Sequence, residues 1–157
     1  MPEPSEAVVG TSPSELERIE SAEAALLARP DLIDVPLRHH LAEVKGVYMR
    51  EAFFPADTFA IGHKHKTRHY NILLTGRIRV KQGDKVEEIV APAIWIGEPG
   101  IRKVAYIVED TRWMNVHGAA PETLAEVEAA LVEKSETFKE HESLRLEAGQ
   151  LKHPLSS

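Results

Sequence analysis

Between residues 46 and 117 the chain alternates short strand-like runs with turn residues at a nearly even pitch. That pattern limits the fold more than any other feature of the sequence. Runs rich in apolar and β-branched residues predict strands near 46–54, 58–65, 69–75, 77–82, 85–90, 93–96, 101–108 and 111–117. The breaks between them are Pro55-Ala56-Asp57, Lys66-Thr67-Arg68, Gly76, Gln82-Gly83-Asp84, Gly97-Glu98-Pro99-Gly100 and Glu109-Asp110. Gly, Pro and Asp punctuate a chain because they supply or fix the backbone angles that reversals need. Many short strands at even spacing, with no long helix among them, indicate an antiparallel sandwich or barrel and argue against a parallel sheet.

The 157 residues suit one domain with a single core and accessory segments. Residues 1–30 are expected to form a flexible arm plus an N-terminal helix, 31–118 the barrel, and 119–157 a C-terminal helix and a polar tail. Residues 1–11 are rich in Pro, Glu and Ser, the composition of a mobile arm. Ser12-Pro13-Ser14-Glu15 opens the first helix. Ser12 suits the N-cap, Pro13 the first helical position, and Glu15 completes a capping box. Leu16, Ile19, Glu23, Leu26 and Leu27 recur at helical spacing, and Pro30 ends the run. Pro121-Glu122-Thr123-Leu124 opens a second helix, whose apolar stripe is Leu124, Val127 and Leu131. From Ser135 onward the sequence is polar and reads as a tail, with His141 and His153 in solvent.

Composition narrows the function. The formal net charge is −6 and no Lys/Arg stripe forms, which removes the electrostatic basis for nucleic-acid binding. With no cysteine, disulfides, thiolate zinc sites and cysteine nucleophiles are excluded, so any metal is held by nitrogen and oxygen. No apolar run approaches the ~18–20 residues of a membrane span, and the N-terminus lacks the pattern of a signal peptide. A cytoplasmic protein with no membrane partner is the expectation.

The segment Ile61-Gly62-His63-Lys64-His65-Lys66-Thr67-Arg68-His69-Tyr70-Asn71 carries the chemistry. On a strand, i and i+2 share a face, so His63 and His65 are expected to project together. A tight turn through Lys66–Arg68 then brings His69 back beside them. Three imidazoles converging in a barrel interior suit a divalent transition metal and leave positions open for water or substrate. An isolated H-x-H is also a common surface pair.

This segment resembles the first motif of the cupin superfamily, G-x5-H-x-H-x3-E-x6-G. Here it reads Asp57-x5-His63-x-His65-x3-His69-x6-Gly76, with Asp57 at the opening glycine and His69 at the glutamate. The second motif, G-x5-P-x-G-x2-H-x3-N, is eroded. With Gly100 aligned, Glu98 stands at the proline, Lys103 at the histidine ligand and Ile107 at the asparagine. The resemblance spans roughly residues 40–117 and implies an all-β, antiparallel jelly-roll barrel flanked by an N-terminal and a C-terminal helix. A weaker similarity extends to small cupin-like proteins encoded by tailed phages.

The resemblance implies one divalent transition metal per chain (Zn, Fe, Ni, Mn or Cu) on His63, His65 and His69. A Lys103 pointing inward has its pKa lowered by the neighbouring metal and serves as a base or holds an anionic group. Asn71, His117, Arg50 and Glu51 are candidate pocket residues. Asn71 shares a face with His69, and His117 is either a fourth ligand or a strand cap. Alternation puts Tyr48 and Arg50 on one face of their strand and Met49, Glu51 and Phe53 on the other, without saying which faces the pocket. His39-His40 face opposite ways, and Trp95 and Tyr106 suit the core or an interface. The function implied is a metal-dependent enzyme, such as an oxygenase, isomerase or lyase, acting on a small polar or anionic molecule. The alternative is a non-catalytic ligand-binding or structural barrel, such as a phage accessory or assembly protein. Narrow apolar stripes on both helices, and the sheet-edge pairing common in cupins, point to a homodimer.

Overall fold

The computed structural model describes residues 11–82 and 85–149. Helix α1 (Pro13–Leu27) opens at Ser12, whose hydroxyl accepts from the Glu15 backbone N–H as the capping box requires. Ten strands follow: β1 (Leu37–Val44), β2 (Val47–Phe54), β3 (Thr58–Ile61), β4 (Lys64–His65), β5 (His69–Thr75), β6 (Arg77–Gln82), β7 (Lys85–Val90), β8 (Ala93–Gly97), β9 (Val104–Ile107) and β10 (Thr111–His117). The chain continues through α2 (Leu124–Ala130), β11 (Val132–Glu133) and α3 (Glu136–Glu147).

The strands form an antiparallel jelly roll. One sheet has the order β1-β2-β10-β5-β8 and the other β3-β9-β6-β7, while β4 pairs with β11. Leu73 from the first sheet packs with Ile78, Val80, Ala105 and Ile107 from the second, and Phe54, Trp95 and Trp113 extend this core. A smaller cluster of Tyr48, Val127, Leu131 and Val132 fastens the C-terminal segment to the barrel. No described helix is long and apolar enough to cross a membrane.

Two turns explain the glycine pattern of the motif. Gly76, between β5 and β6, has φ +93°, and a Cβ there would lie 2.2 Å from Thr111 Oγ1 and 2.5 Å from the Asp110 carbonyl. Only glycine fits without moving backbone. Asp57, at the motif's opening glycine, also takes positive φ (62°). Asp tolerates this region better than most residues, and its carboxylate accepts a hydrogen bond from the Tyr106 hydroxyl at 2.7 Å.

The structure departs from the sequence expectations at several places. The strand expected at 58–65 is broken, because Gly62 N–H donates to the Lys103 carbonyl and β4 leaves β9 to pair with β11. Residues 37–44 form an edge strand whose irregular burial and bulge, with Ala42 at φ 54°, hide its alternation. The polar stretch after Ser135 is a helix, not a tail. Ser135 caps it, and it is held by Phe138, by Lys134 paired with Glu142, and by Arg145 paired with Asp34. His141 is half-buried in that helix with Nε2 enclosed, so it is not solvated as expected. His153 and the arm at residues 1–10 lie outside the described residues. Thr11, assigned to the same arm, is fixed: its N–H donates to the Gly100 carbonyl and its hydroxyl accepts from Arg102 N–H.

Candidate metal centre and cavity

The inner face of the large sheet is built by register. Across it, Arg50 on β2 lies opposite Asn115 on β10, Asn115 opposite Asn71 on β5, and Asn71 opposite Trp95 on β8. One row further along, His117 lies opposite Tyr48, and His69 opposite Gly97. Side chains at i and i+2 share a face, so His69 and Asn71 both point inward, as do Asn115 and His117. All four are buried.

The three imidazoles that converge are those of His65, His69 and His117. One nitrogen from each lies within 4.8 Å of the other two, the one such group among the described residues. The rings stack face to face, with centroids 4.2 Å apart for His65–His69, 4.7 Å for His69–His117 and 5.2 Å for His65–His117. Thr67, in the turn after β4, orients two of them. Its carbonyl accepts from Nδ1 of His69 at 2.9 Å, which fixes the tautomer and leaves Nε2 with a free lone pair. Its hydroxyl lies 3.2 Å from Nδ1 of His117. Nδ1 of His65 is buried with no partner. Burial favours the neutral imidazoles: it lowers the His65 and His69 pKa values and brings that of His117 to about 3, with neighbouring positive charge adding to the effect. A set of neutral imidazoles, two of them oriented by Thr67 and each offering a nitrogen to one locus, fits a divalent transition metal.

His63 stands outside this group. Its backbone sits at the break between β3 and β4, so the i, i+2 rule linking it to His65 does not operate. Its ring instead meets Phe138 of α3 edge-on at 4.5 Å. It is 4% exposed, both its nitrogens lack partners, and burial brings its pKa to about 3. The grouping therefore differs from the sequence expectation in one member, with His117 where His63 was placed.

A cavity of about 510 Å³ opens beside the histidines, a size ordinary for small-molecule sites. Arg50, His63, His65, His69, Asn71 and Lys103 line it from the barrel, and α1, the segment 31–35 and Phe138 close it over. Arg50, and not Glu51, thus faces the cavity. Glu51 lies on the opposite face, where it pairs with Arg112, with His40 at 2.9 Å and with Arg38 at 3.7 Å. Lys103 faces the cavity with Nζ 5.8 Å from the Trp95 ring centre, and burial lowers its pKa to about 8. His39 stacks on Tyr48, and Tyr106 binds Asp57, so neither joins the site.

Over the cavity, a buried cluster ties the two ends of the chain together. Glu23 of α1 pairs with Arg102 and accepts from the Ser135 hydroxyl, and Arg102 Nε donates to the Gly62 carbonyl at 2.9 Å. The sequence conceals this cluster because Glu23 sits among apolar residues in the helix stripe. The signal was present: a carboxylate at a core-facing helical position requires a buried cation.

No family model matches the chain, and no curated protein sequence matches it. Solved structures do. The chain is similar to a cupin 2 domain-containing protein from Halorhodospira halophila, at 8% identity and TM-score 0.49, over 80% of this chain and 93% of that one. It is also similar to an RmlC-like cupin with a double-stranded β-helix fold from Methanocaldococcus jannaschii, at 11% identity and TM-score 0.47, over 62% and 91%. A cupin-2 domain protein from Shewanella frigidimarina gives 12% identity and TM-score 0.42, over 52% and 79%. The antiparallel two-sheet arrangement described above is of the jelly-roll type, and these neighbours bear the cupin name.

Proposed function

We propose that the chain is a metal-binding cupin that acts as an enzyme on a small polar or anionic molecule held in the barrel cavity. His65, His69 and His117 hold one divalent transition metal, of the set Zn, Fe, Ni, Mn and Cu. The observation that carries the reading is the convergence of three neutral imidazoles within 4.8 Å, two of them anchored by Thr67. Held by these three imidazoles, such a metal would supply Lewis-acid polarisation of a substrate oxygen or of water. The chain's own residues do the rest. Arg50 and Lys103 orient the substrate, and Lys103 is placed to take up or return a proton at Nζ. The flanking helices exclude water. A homodimer in the cytoplasm completes the reading. On the outer face of the large sheet, Tyr70 pairs with Ile96 and Ile72 with Ile94, and Ile94 is 70% exposed, a surface apolar enough to bury against a second copy.

Metal analysis of purified wild type beside His117→Ala and His63→Ala tests the site. About one metal per wild-type chain is expected, lost in His117→Ala and kept in His63→Ala. Loss in His63→Ala with retention in His117→Ala would show that the ligand set is wrong.

A second reading, a ligand-binding barrel without catalysis, is favoured by Lys103, a cation where a cupin places its last histidine. Turnover of no substrate by protein that carries stoichiometric metal and binds small molecules would select it.

A further inference from the structure

Two residues that line the cavity from the large sheet, Arg50 and Asn71, each hold a buried N–H without an acceptor. Among the described residues, every buried side-chain polar atom without a partner is a nitrogen, and none is an oxygen. Two of them, Arg50 Nε and Asn71 Nδ2, belong to cavity-lining residues on the inner face of the large sheet, linked through Asn115 on the strand between them.

Their direction is fixed by the network behind them. Arg50, which can only donate, gives one N–H to the Asn115 Oδ1 at 3.0 Å. That sets the Asn115 amide, whose Nδ2 donates to the Asn71 Oδ1 at 2.7 Å. The Trp113 indole, also donor-only, gives a second bond to the same oxygen at 3.1 Å. Asn71 therefore cannot flip without setting N–H against N–H. Its Nδ2 is left as a donor without an acceptor. The relay begins at a guanidinium and ends on an N–H.

The charges agree. Arg50 is half-buried, with its Nε enclosed and no carboxylate partner among the described residues, and Lys103, also half-buried, lies over the Trp95 ring. With a pKa of about 8, Lys103 stays mostly cationic at neutral pH. The acids on the wall are engaged elsewhere: Glu23 with Arg102, Asp31 with Arg29, Asp34 with Arg145 and Asp57 with Tyr106. Enclosed cations without counter-charge are costly, and a ligand that brings negative charge and acceptor atoms relieves them. The rest of the wall is apolar, with Leu26, Leu27, Ile33, Phe59, Ile61 and Phe138 contributed by α1, the segment after it, β3 and α3.

We propose that the cavity takes a small amphipathic carboxylic acid, its carboxylate held by Arg50 and Lys103 with Asn71 donating, and its apolar body against the flanking helices. This rests on the reading that the barrel cavity is the ligand site, but it requires no metal. The ligand class is a monocarboxylate with a short chain or ring. A bare oxyanion leaves the apolar wall uncovered, and an ammonium is repelled by Arg50 and Lys103.

The test is a calorimetric titration of chelator-treated full-length protein with hexanoate, hexanol, hexylammonium and inorganic phosphate. Fluorescence of the chain's two tryptophans, Trp95 and Trp113, is a parallel readout. Hexanoate is expected to saturate, binding at least about tenfold tighter than hexanol, with no heat from hexylammonium and weaker binding of phosphate. Lys103→Met and Arg50→Met are each expected to weaken hexanoate about tenfold and leave hexanol unchanged. Lys103→Met breaks no hydrogen bond or ion pair in the described structure, so it keeps the test open if Arg50→Met does not fold. The proposal is overturned if hexanol or phosphate matches hexanoate, if hexanoate gives no saturable signal up to about 10 mM, or if folded Lys103→Met binds hexanoate unchanged. Because the protein is metal-free, the outcome is separable from the metal analysis. Hexanoate binding with no metal in wild type sinks the metal reading alone, and metal without hexanoate binding sinks this one alone.

Discussion

Replacing Gly97 with alanine is the sharpest probe of how the histidine set is held. A Cβ at Gly97 would lie 2.4 Å from Nε2 and 2.5 Å from Cε1 of His69, and 2.7 Å from Nδ2 of Asn71. Ordinary contact begins at 3.4 Å, so the imidazole must withdraw by about 1 Å. It has nowhere easy to go: Nδ1 is tied to the Thr67 carbonyl, and the His65 and His117 rings stack against it. Crowding of this kind costs about 1–3 kcal/mol. Turning the ring away also gives up the Thr67 hydrogen bond, worth about 1 kcal/mol. Because Nε2 is the nitrogen left for metal, affinity is expected to fall by about tenfold to a hundredfold. Urea denaturation of chelator-treated protein reads the first effect, and competition with a chromophoric chelator reads the second. Gly62→Ala is the control, since its Cβ would sit 3.8 Å from the nearest atom. Gly97→Ala with wild-type stability and wild-type metal affinity would refute the placement of His69 against β8.

Three further outcomes follow from the same contacts. Thr67→Val removes the hydroxyl beside His117 but keeps the carbonyl that holds His69. Metal affinity should drop about tenfold while the melting temperature barely moves, and an unchanged affinity contradicts the orienting role. Glu23→Ala leaves Arg102 buried without its acid and should cost about 3–5 kcal/mol in urea denaturation; a loss under about 1 kcal/mol shows that the pair is not isolated from water. Stability should fall in acid. His39, His63 and His117 have pKa values near 4, 3 and 3 in the fold, against 6.5 in the unfolded chain, so the unfolded chain binds more protons below pH 6.5. Their contribution is intact above about pH 6.5 and is lost as pH falls toward 4, at about 1.4 kcal/mol per group per pH unit. A melting temperature that stays flat from pH 7 to 4.5 in chelated protein contradicts this burial.

The barrel was legible in the sequence because each strand carries its own alternation and each turn its own Gly, Pro or Asp. His65 and His69 were legible for the same reason: they flank one turn. His63 was misplaced because strand periodicity holds only while the strand does, and the switch of partners after Gly62 leaves no mark on local composition. His117 was given as a possible fourth ligand, on a strand 48 residues beyond His69 in sequence, and only the pairing of β10 with β5 brings it alongside. Helix α3 escaped notice for a different reason. It buries few residues of its own, and it is held by single contacts such as Phe138 on His63 and Arg145 on Asp34, which have no period.

The clasp of Glu23, Arg102 and Ser135 has a consequence for the order in which the molecule is finished. Chains are made from the N-terminus, so all the strands of both main sheets exist before residue 135 is synthesised. Until then Arg102 has an acid beside it, but the cavity still lacks Phe138 and the wall on that side. The barrel can form early, and the wall that α3 contributes through Phe138 is added to it afterwards.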